Sequence, residues 1–357
     1  MTPAPTLSPA PSVSVAPSPF LPPSGGVGGG GNCADYGNQG SRYRNGTLDI
    51  AAESSVVLGK GINIKAEAAN KFWAVFAGSG KTNCVRDTFD TYVTINGTVA
   101  ESKYGAALLA SDGTAVTMCD GHFQGGTYDR SQRGVEGFYM PGPGYLQMAC
   151  GSILAGNSYS DYVPSPALIL EDTLFESNIT GGNIIGGYWP KADNDWWENR
   201  GPSMFIGTRE SNINPIYGSI SKPLSVHVNI FGGNFEGNCD LYPRSQINVY
   251  GYDLELSEDD EMPCPPYFNY GPPDTTTCKV LTGYLCDDSP INMKIRFISG
   301  ENSFDPFVYP VYNEFNTKGN VTLFNDVNCK KAVPKIDGCG MQKCKKSAKS
   351  GKQDIFG

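Results

Sequence analysis

Four segments of the chain share one pattern of hydrophobic and polar positions. Each has two apolar residues separated by one residue, a glycine or aspartate two positions later, and then a phenylalanine or leucine followed by Gln or Glu. The segments are VTMCDGHFQGG (116–126), LILEDTLFESN (168–178), VNIFGGNFEGN (228–238) and INVYGYDLELS (247–257). Because side chains alternate between the two sides of a strand, the pattern predicts a short strand with its apolar pair facing inward, a bend and a second short strand.

The paired apolar positions predict rows of side chains that stack inside one interior. We expect two rows, formed by Val116 and Met118, Leu168 and Leu170, Val228 and Ile230, and Ile247 and Val249. Phe123, Phe175 and Phe235 are expected to form a third row. Weaker copies lie at 93–101, 146–154 and 293–301, and the copies recur about every 19 to 30 residues, apart from one interval of 60.

A short motif that recurs at this spacing is typical of a solenoid of parallel strands, in which each coil buries its apolar residues only by stacking on its neighbours. Over about residues 45–330 the chain resembles the right-handed parallel β-helix, or pectin lyase-like, superfamily. The predicted fold class is therefore all-β, a right-handed parallel β-helix solenoid with low-complexity N- and C-terminal tails. A β-sandwich or jelly roll with coincidentally similar turns is the alternative.

Composition divides the chain into three regions. Residues 1–31 devote 19 positions to Pro, Ser or Gly and are predicted to form a linker, residues 32–330 the β-helix domain, and residues 331–357 a Cys- and Lys-rich tail. The 44 glycines, 26 prolines and a charged fraction of 18% favour turns and strands over helices. Residues 1–34 contain no charge and no apolar run of the signal-peptide kind, so an export signal is expected elsewhere.

Charge and hydropathy limit the classes of partner. A net charge of −9 argues against nucleic acid, and no apolar run approaches the roughly 20 residues of a membrane helix. Residues 330–357 hold eight lysines and two aspartates, which leaves 19 basic and 34 acidic residues before them. The lysine spacing in QKCKKSAKSGK (342–352) resembles the lysine clusters of silica-associated cell-wall proteins, with a flexible basic linker as the alternative.

Eleven cysteines and four glycosylation sequons indicate an oxidising, secretory setting. The closest cysteine spacing is Cys339 to Cys344, no CxxC motif is present, and structural disulfides are therefore favoured over a metal site. The sequons, which are expected at exposed positions, are Asn45, Asn96, Asn178 and Asn320. The predicted location is secreted or cell-surface.

The resemblance implies that an enzyme of this superfamily would carry its active site on the outward side of one sheet. The Asn-Thr-Asp, Asp-Asp, Gly-His-Gly and Arg-Ile-Lys elements of polygalacturonases do not occur in that order and content, and the Arg-x-Pro-x-x-Arg of pectate lyases is absent. The remaining catalytic candidates are weak: Asp120 and Asp172 at the bends, which two coil spacings would hold roughly 10 Å apart, and the outward-facing Glu171. A bend aspartate more commonly accepts hydrogen bonds from turn amides.

The segment YWPKADNDWWENR (188–200) gathers three of the four tryptophans beside carboxylates. Aromatic faces next to hydrogen-bonding groups suit sugar rings, so Trp189, Trp196 and Trp197 are predicted to form an exposed platform for a polysaccharide, with Asp193 and Asp195 orienting its hydroxyls. Packing of this segment as a flap over the solenoid is the alternative. The acidic segment DLELSEDDE (253–261) is a possible Ca²⁺ loop or a solvated turn, and no other cofactor and no metal site is indicated.

Together these features predict a secreted cell-surface, cell-wall or appendage glycoprotein. Its β-helix is expected to be non-catalytic and to bind polysaccharides or other extracellular structural proteins, including neighbouring subunits. A polysaccharide lyase or glycoside hydrolase of the same fold is the alternative. It ranks second because the chain lacks the catalytic signatures of that superfamily.

Overall fold

The computed structural model describes residues 47–68, 72–79, 89–111, 113–128, 132–159, 164–173, 176–189, 199–207, 226–241, 245–250, 261–263, 277–284, 292–297, 320–324 and 335–339. Over these ranges the regular elements are β-strands, and 21 of them are connected to one another by strand pairing. None of the described residues forms a helix long and apolar enough to cross a membrane.

The strands run parallel and divide into three sheets that follow one another in each turn of the chain, here called a coil. Sheet 1 contains β1 (Leu48–Ala51), β4 (Trp73–Ser79), β6 (Ala106–Ala110), the first half of β10 (Phe138–Met148), β12 (Leu168–Thr173), β15 (Met204–Ile206), β18 (Cys239–Leu241) and β22 (Asn292–Phe297). Sheet 2 contains β2 (Ser55–Leu58), the first halves of β5 (Thr91–Ser102) and β7 (Thr114–Gln124), the second half of β10, β13 (Ser177–Ile179), β16 (Val226–Ile230), β19 (Ser245–Tyr250) and β23 (Asn320–Phe324).

Sheet 3 completes each coil and leads back to sheet 1. It contains β3 (Asn63–Ala66), the second halves of β5 and β7, β11 (Ser152–Leu154), β14 (Asn183–Ile185) and β17 (Asn234–Glu236). The antiparallel pairs are β8 (Thr127–Tyr128) with β9 (Arg133–Gly134), and β20 (Glu261–Pro263) with β21 (Thr277–Tyr284), which also pairs with β22. The described chain is thus all-β, with long parallel curled sheets consistent with a β-helix solenoid.

The core lies between the three sheets and is built from stacked rows, as the alternating pattern predicts. In sheet 2 the two inward rows are Val56, Val93, Val116, Leu146, Ser177, Val228 and Ile247, and Leu58, Ile95, Met118, Met148, Ile179, Ile230 and Val249. In sheet 3 the inward row is Ile64, Ala100, Phe123, Ile153, Ile184 and Phe235. Nearly all of these side chains are buried in one cluster, so each coil is stabilised by its neighbours rather than by a core of its own.

The prediction is wrong about the rows to which Leu168 and Leu170 belong. Both point into the common interior, but they lie in β12 of sheet 1 rather than in sheet 2. Their register partners are Phe138, Met140, Met204 and Ile206. Every strand of a coil has the same inward and outward alternation, so the pattern alone does not identify the sheet. Phe175 lies outside the described residues, and Ile184 follows Ile153 in the third row.

A column of glycines marks the corner at which the chain leaves sheet 3. This glycine corner consists of Gly126, Gly156 and Gly187, each two residues after the last residue of a sheet-3 strand. A Cβ on Gly156 would overlap the backbone of Gly126, and one on Gly187 would overlap that of Gly156. Backbones of successive coils therefore touch here at a separation that only glycine permits.

Candidate functional site

The outward side of sheet 2 carries a row of amide side chains across four successive coils. The alternation of sheet 2 turns Val228 and Ile230 inward and so places Asn229, which lies between them, on the outward side. The strand register aligns Gln147, Asn178, Asn229 and Asn248. Since neighbouring strands lie about 4.8 Å apart, equivalent amide groups recur at that interval along the solenoid. We call this row the amide ladder and the outward side of sheet 2 the amide face.

Hydrogen bonds run along the amide ladder in one direction. The Nδ2 of Asn178 donates to Oε1 of Gln147 at 3.1 Å, that of Asn229 to Oδ1 of Asn178 at 3.0 Å, and that of Asn248 to Oδ1 of Asn229 at 2.8 Å. Each bond uses one of the two N–H groups of an amide. Asn178 and Asn248 are half-buried rather than buried, so their amide groups are accessible from the outward side.

Two polar side chains on the adjacent outward positions hold the ladder in place. Oε2 of the exposed Glu176 accepts a hydrogen bond from Nδ2 of Asn229 at 2.9 Å. The Nε2 of Gln246 donates to Oδ1 of Asn248 at 2.9 Å. With these contacts Asn229, which is only 4% exposed, uses both N–H groups and its oxygen within the protein. Asn229 therefore orients its neighbours rather than an outside ligand.

Aromatic rings lie beside the ladder on the same face. Phe231 and Tyr250 each follow a ladder asparagine by two residues, so they point outward as well. Their rings are stacked, with centroids 4.3 Å apart and planes 10° from parallel, and both side chains are half-buried. The amide face thus places aromatic side chains next to hydrogen-bonding groups, a combination that suits sugar rings.

A disulfide attaches a distant segment to the other end of the amide face. Cys119, at the end of sheet 2 in β7, is bonded to Cys339, 220 residues later. Residues 335–339, which we call the strap, lie within the segment expected to be a tail. Cys150 is also disulfide-bonded. These bonds agree with the expectation of structural disulfides, although the pairing was not predictable from cysteine spacing.

The carboxylates considered for catalysis are not stacked above one another. Asp120 lies in β7, where its Oδ1 accepts a hydrogen bond from the backbone N of Gly121 at 2.9 Å, as expected for a bend aspartate. Asp172 lies in β12 of sheet 1, aligned with Pro143. Glu171, also in β12, is 2% exposed and accepts a hydrogen bond from the hydroxyl of Tyr139 at 3.1 Å.

The predicted tryptophan platform is wrong for Trp189. Its side chain is only 8% exposed, and its backbone N donates to the carbonyl of Asn199 at 2.7 Å. An antiparallel bridge between Tyr188 and Arg200 joins the two ends of this segment. Trp196, Trp197, Asp193 and Asp195 lie outside the described residues, as do residues 253–260 of the acidic segment. Within the described ranges no three His, Cys, Asp or Glu side chains are grouped to hold a metal ion.

The sequons differ in their surroundings. Asn96 is exposed at an irregularity of β5, next to Gly97, whose φ is +89°. Asn178 is half-buried in the amide ladder, contrary to the expectation of an exposed position. Asn45 and the side chain of Asn320 lie outside the described residues.

One histidine on sheet 3 has a perturbed environment. His122 points outward from β7 and is aligned with Ser152 of β11. Burial lowers the pKa of its imidazole below the ordinary value of 6.5, and the nearby Glu101 carboxylate opposes part of that shift. Glu101 also forms an ion pair with Lys65 at 2.9 Å. His227 is half-buried on the outward side of sheet 2, as its alternation with two valines predicts.

The sequence pattern predicts the outward position of only some of the amides in the ladder. The signal is the residue between the two apolar positions of each copy, which is Gln147 in one, Asn229 in another and Asn248 in a third. Asn178 does not follow this pattern, because the position before it, which is apolar in the other copies, is occupied by Ser177.

Fold and site together define an all-β protein whose parallel curled sheets present a continuous outward row of amides beside stacked aromatic rings. Comparison with protein-family models, with curated proteins and with solved structures gave no match.

Proposed function

We propose that this chain is a right-handed parallel β-helix of the pectin lyase-like kind that acts outside the cell as a non-catalytic glycan-binding protein. The observation that carries the proposal is the amide ladder beside the stacked Phe231 and Tyr250. A linear polysaccharide lies along the solenoid axis, because only in that direction does the same kind of hydrogen-bonding group recur at every coil. The aromatic pair receives the face of one sugar ring.

Charge favours a neutral glycan over a polyanionic one. Glu176, whose carboxylate accepts a hydrogen bond from the ladder, is exposed. Residues 1–329 carry 34 acidic and 19 basic side chains, which repel polyuronates at low salt. The ligand class is therefore a neutral polysaccharide whose hydroxyls exchange hydrogen bonds with amides.

Disulfides and sequons support an extracellular setting. Bonds such as Cys119–Cys339 persist in oxidising compartments, and Asn96 lies exposed in a sequon. Attachment to a cell surface, wall or appendage is the role that a non-catalytic glycan-binding solenoid would serve there.

The test is retention of the protein on immobilised polysaccharides. Neutral polymers (cellulose, xylan, mannan and β-1,3-glucan) are compared with polygalacturonate. Asn248→Ala and Tyr250→Ala should each weaken binding to the preferred neutral polymer about fivefold or more, since a net hydrogen bond or ring stacking contributes about 1 kcal/mol.

Asn234→Ala is the matched control, because Asn234 is also half-buried and donates one side-chain hydrogen bond, at 3.3 Å to Glu236, but lies on sheet 3. It should leave binding unchanged. Equal loss in Asn234→Ala and Asn248→Ala, or stronger retention on polygalacturonate than on every neutral polymer, would contradict the proposal.

The second candidate is a polysaccharide lyase or glycoside hydrolase of the same fold. It rests on Glu171, a carboxyl group held by the Tyr139 hydroxyl among buried apolar side chains of sheet 1. If that reading holds, the protein releases reducing or unsaturated sugar ends from a polymer of the same panel, and Glu171→Gln abolishes the release.

A further inference from the structure

The strap lies directly on the amide face and is anchored there by two kinds of contact. Cys339 is bonded to Cys119, and Ile336 packs in a small cluster with these two cysteines and Ala149. Ile336 and Cys339 are each 5% exposed and Cys119 is fully buried, although Cys119 belongs to the outward side of its strand. The strap therefore covers surface that the alternation of sheet 2 would otherwise leave to solvent.

The strap packs against strand β10 beside the first amide of the ladder. Ala149, beside Ile336, follows Gln147 by two residues. Tyr145 precedes Gln147 by two residues, and its pKa is raised above the ordinary value of 10.0 by burial and by the nearby carboxylate of Asp337. Gln147 itself is 8% exposed. The strap therefore borders the position of Gln147 at the end of the ladder, whereas Asn178 and Asn248, farther along the ladder, are half-buried.

The polar row continues past the strap toward the first coils. The register aligns Gln147 with Thr117 of the preceding coil and Thr117 with Thr94 of the coil before that. Both threonines are half-buried and offer hydroxyl groups in line with the amides. The stretch from Asn178 to Asn248 covers two strand spacings, about 10 Å, and the stretch from Thr94 to Asn248 covers five, about 24 Å.

Building on the proposed function, we infer that the strap sets the length of glycan that the amide face accepts. With the strap attached, the site ends at Asn178 and binds a short stretch of the polymer. Detachment of the strap removes the obstacle beside Gln147, so that the polymer can continue to Thr117 and Thr94 and the same site extends toward the first coils.

The experiment measures affinity for a series of neutral oligosaccharides of increasing length, prepared from the polymer that the wild type retains best. In the wild type, affinity should level off once the oligosaccharide spans about 10 Å. In Cys119→Ser/Cys339→Ser it should continue to rise, roughly fivefold for each added strand spacing covered, until the length reaches about 24 Å.

A second variant keeps the disulfide and removes only the apolar anchor. Ile336→Ser should shift the plateau in the same direction as the double cysteine variant, whereas Ile336→Val, which keeps the packing, should behave as the wild type. Circular dichroism and hydrogen exchange of the core strands identify any variant that has lost its fold. If the double cysteine variant has lost its fold, the result for Ile336→Ser decides the outcome.

The two ideas fail differently. If the wild type binds no neutral glycan of any length, the proposed function fails. If the wild type binds but Ile336→Ser and the double cysteine variant level off at the wild-type length, the strap does not limit the site and the inference is overturned.

Discussion

At the scale of single residues, Asn178 belongs both to a sequon and to the amide ladder. Its Nδ2 is the atom to which an N-glycan would be attached, and the same atom donates to Gln147 at 3.1 Å. A glycan there would remove that bond and cover the amide face. Asn96 has no such conflict, since it is exposed where β5 is irregular.

We therefore predict that a secretory host glycosylates Asn96 and leaves Asn178 unmodified in the folded protein. Peptide mass mapping before and after glycosidase treatment measures the occupancy of each site. Asn96→Gln should lose one glycan and Asn178→Gln none. A folded, soluble fraction with a fully occupied Asn178 would show that the ladder is not part of the native structure.

His122 gives the folded protein a dependence on mildly acidic pH. Because its pKa is lowered in the folded state, the unfolded chain binds a proton more readily, and the free energy of unfolding should fall as the pH drops from 6.5 toward the folded pKa. Above pH 6.5 the group contributes nothing, since it is neutral in both states. His122→Gln should flatten this part of the profile.

Denaturant unfolding at pH 5 to 8 measures the effect. The chain has only two histidines, so His227→Gln is a matched control that should keep the wild-type slope. A slope that persists in His122→Gln would assign the pH dependence to carboxylates instead.

At the scale of elements, the glycine corner determines how closely successive coils approach after sheet 3. Gly156→Ala would place a methyl group against the backbone of Gly126 and Gly125, and we predict a loss of about 2–3 kcal/mol in the free energy of unfolding. Gly59→Ala is the control, because no atom lies within 4 Å of the added Cβ, and it should change stability by no more than about 0.5 kcal/mol. Equal denaturation midpoints for the two variants would contradict the close approach at this corner.

The strands also show how much of the fold can be predicted from the sequence. The repeating pattern predicts inward rows, and Val116, Val228 and Ile247 do share one. It assigned Leu168 to that row wrongly, because parallel strands of all three sheets have the same alternation and only the corner positions tell them apart. In the sequence, Gln147, Asn229 and Asn248 each stand singly between two apolar residues. Their alignment depends on the register between coils up to 51 residues apart, which local periodicity does not encode.

The attachment of the strap to sheet 2 could not be predicted from the sequence, for a related reason. Eleven cysteines allow many pairings, and the one between Cys119 and Cys339 follows only from the path of the whole chain. The tryptophan-rich segment was predicted from its composition to form an exposed surface, but Trp189, the tryptophan of this segment that the structure describes, is buried.

At the scale of the whole molecule, the Cys119–Cys339 bond ties the end of the described chain to one of its early coils. Such a crosslink restricts the unfolded chain, and its removal in Cys119→Ser/Cys339→Ser should lower the free energy of unfolding by up to about 5 kcal/mol. Guanidinium unfolding measures the loss, and an unchanged midpoint would mean that other crosslinks already impose the restriction.

The separation of these two cysteines also has a consequence in time. A ribosome adds about 5–20 residues per second, so the thiol of Cys119 waits roughly 10 to 40 s before Cys339 has been made. During that delay the early coils can already stack, because they need only their immediate neighbours. Every newly made chain therefore passes through a stage in which Cys119 stands at the open surface as a thiol or in a temporary bond with another cysteine. Attachment of the strap can therefore take place only after Cys339 has been made, later than the stacking of the early coils.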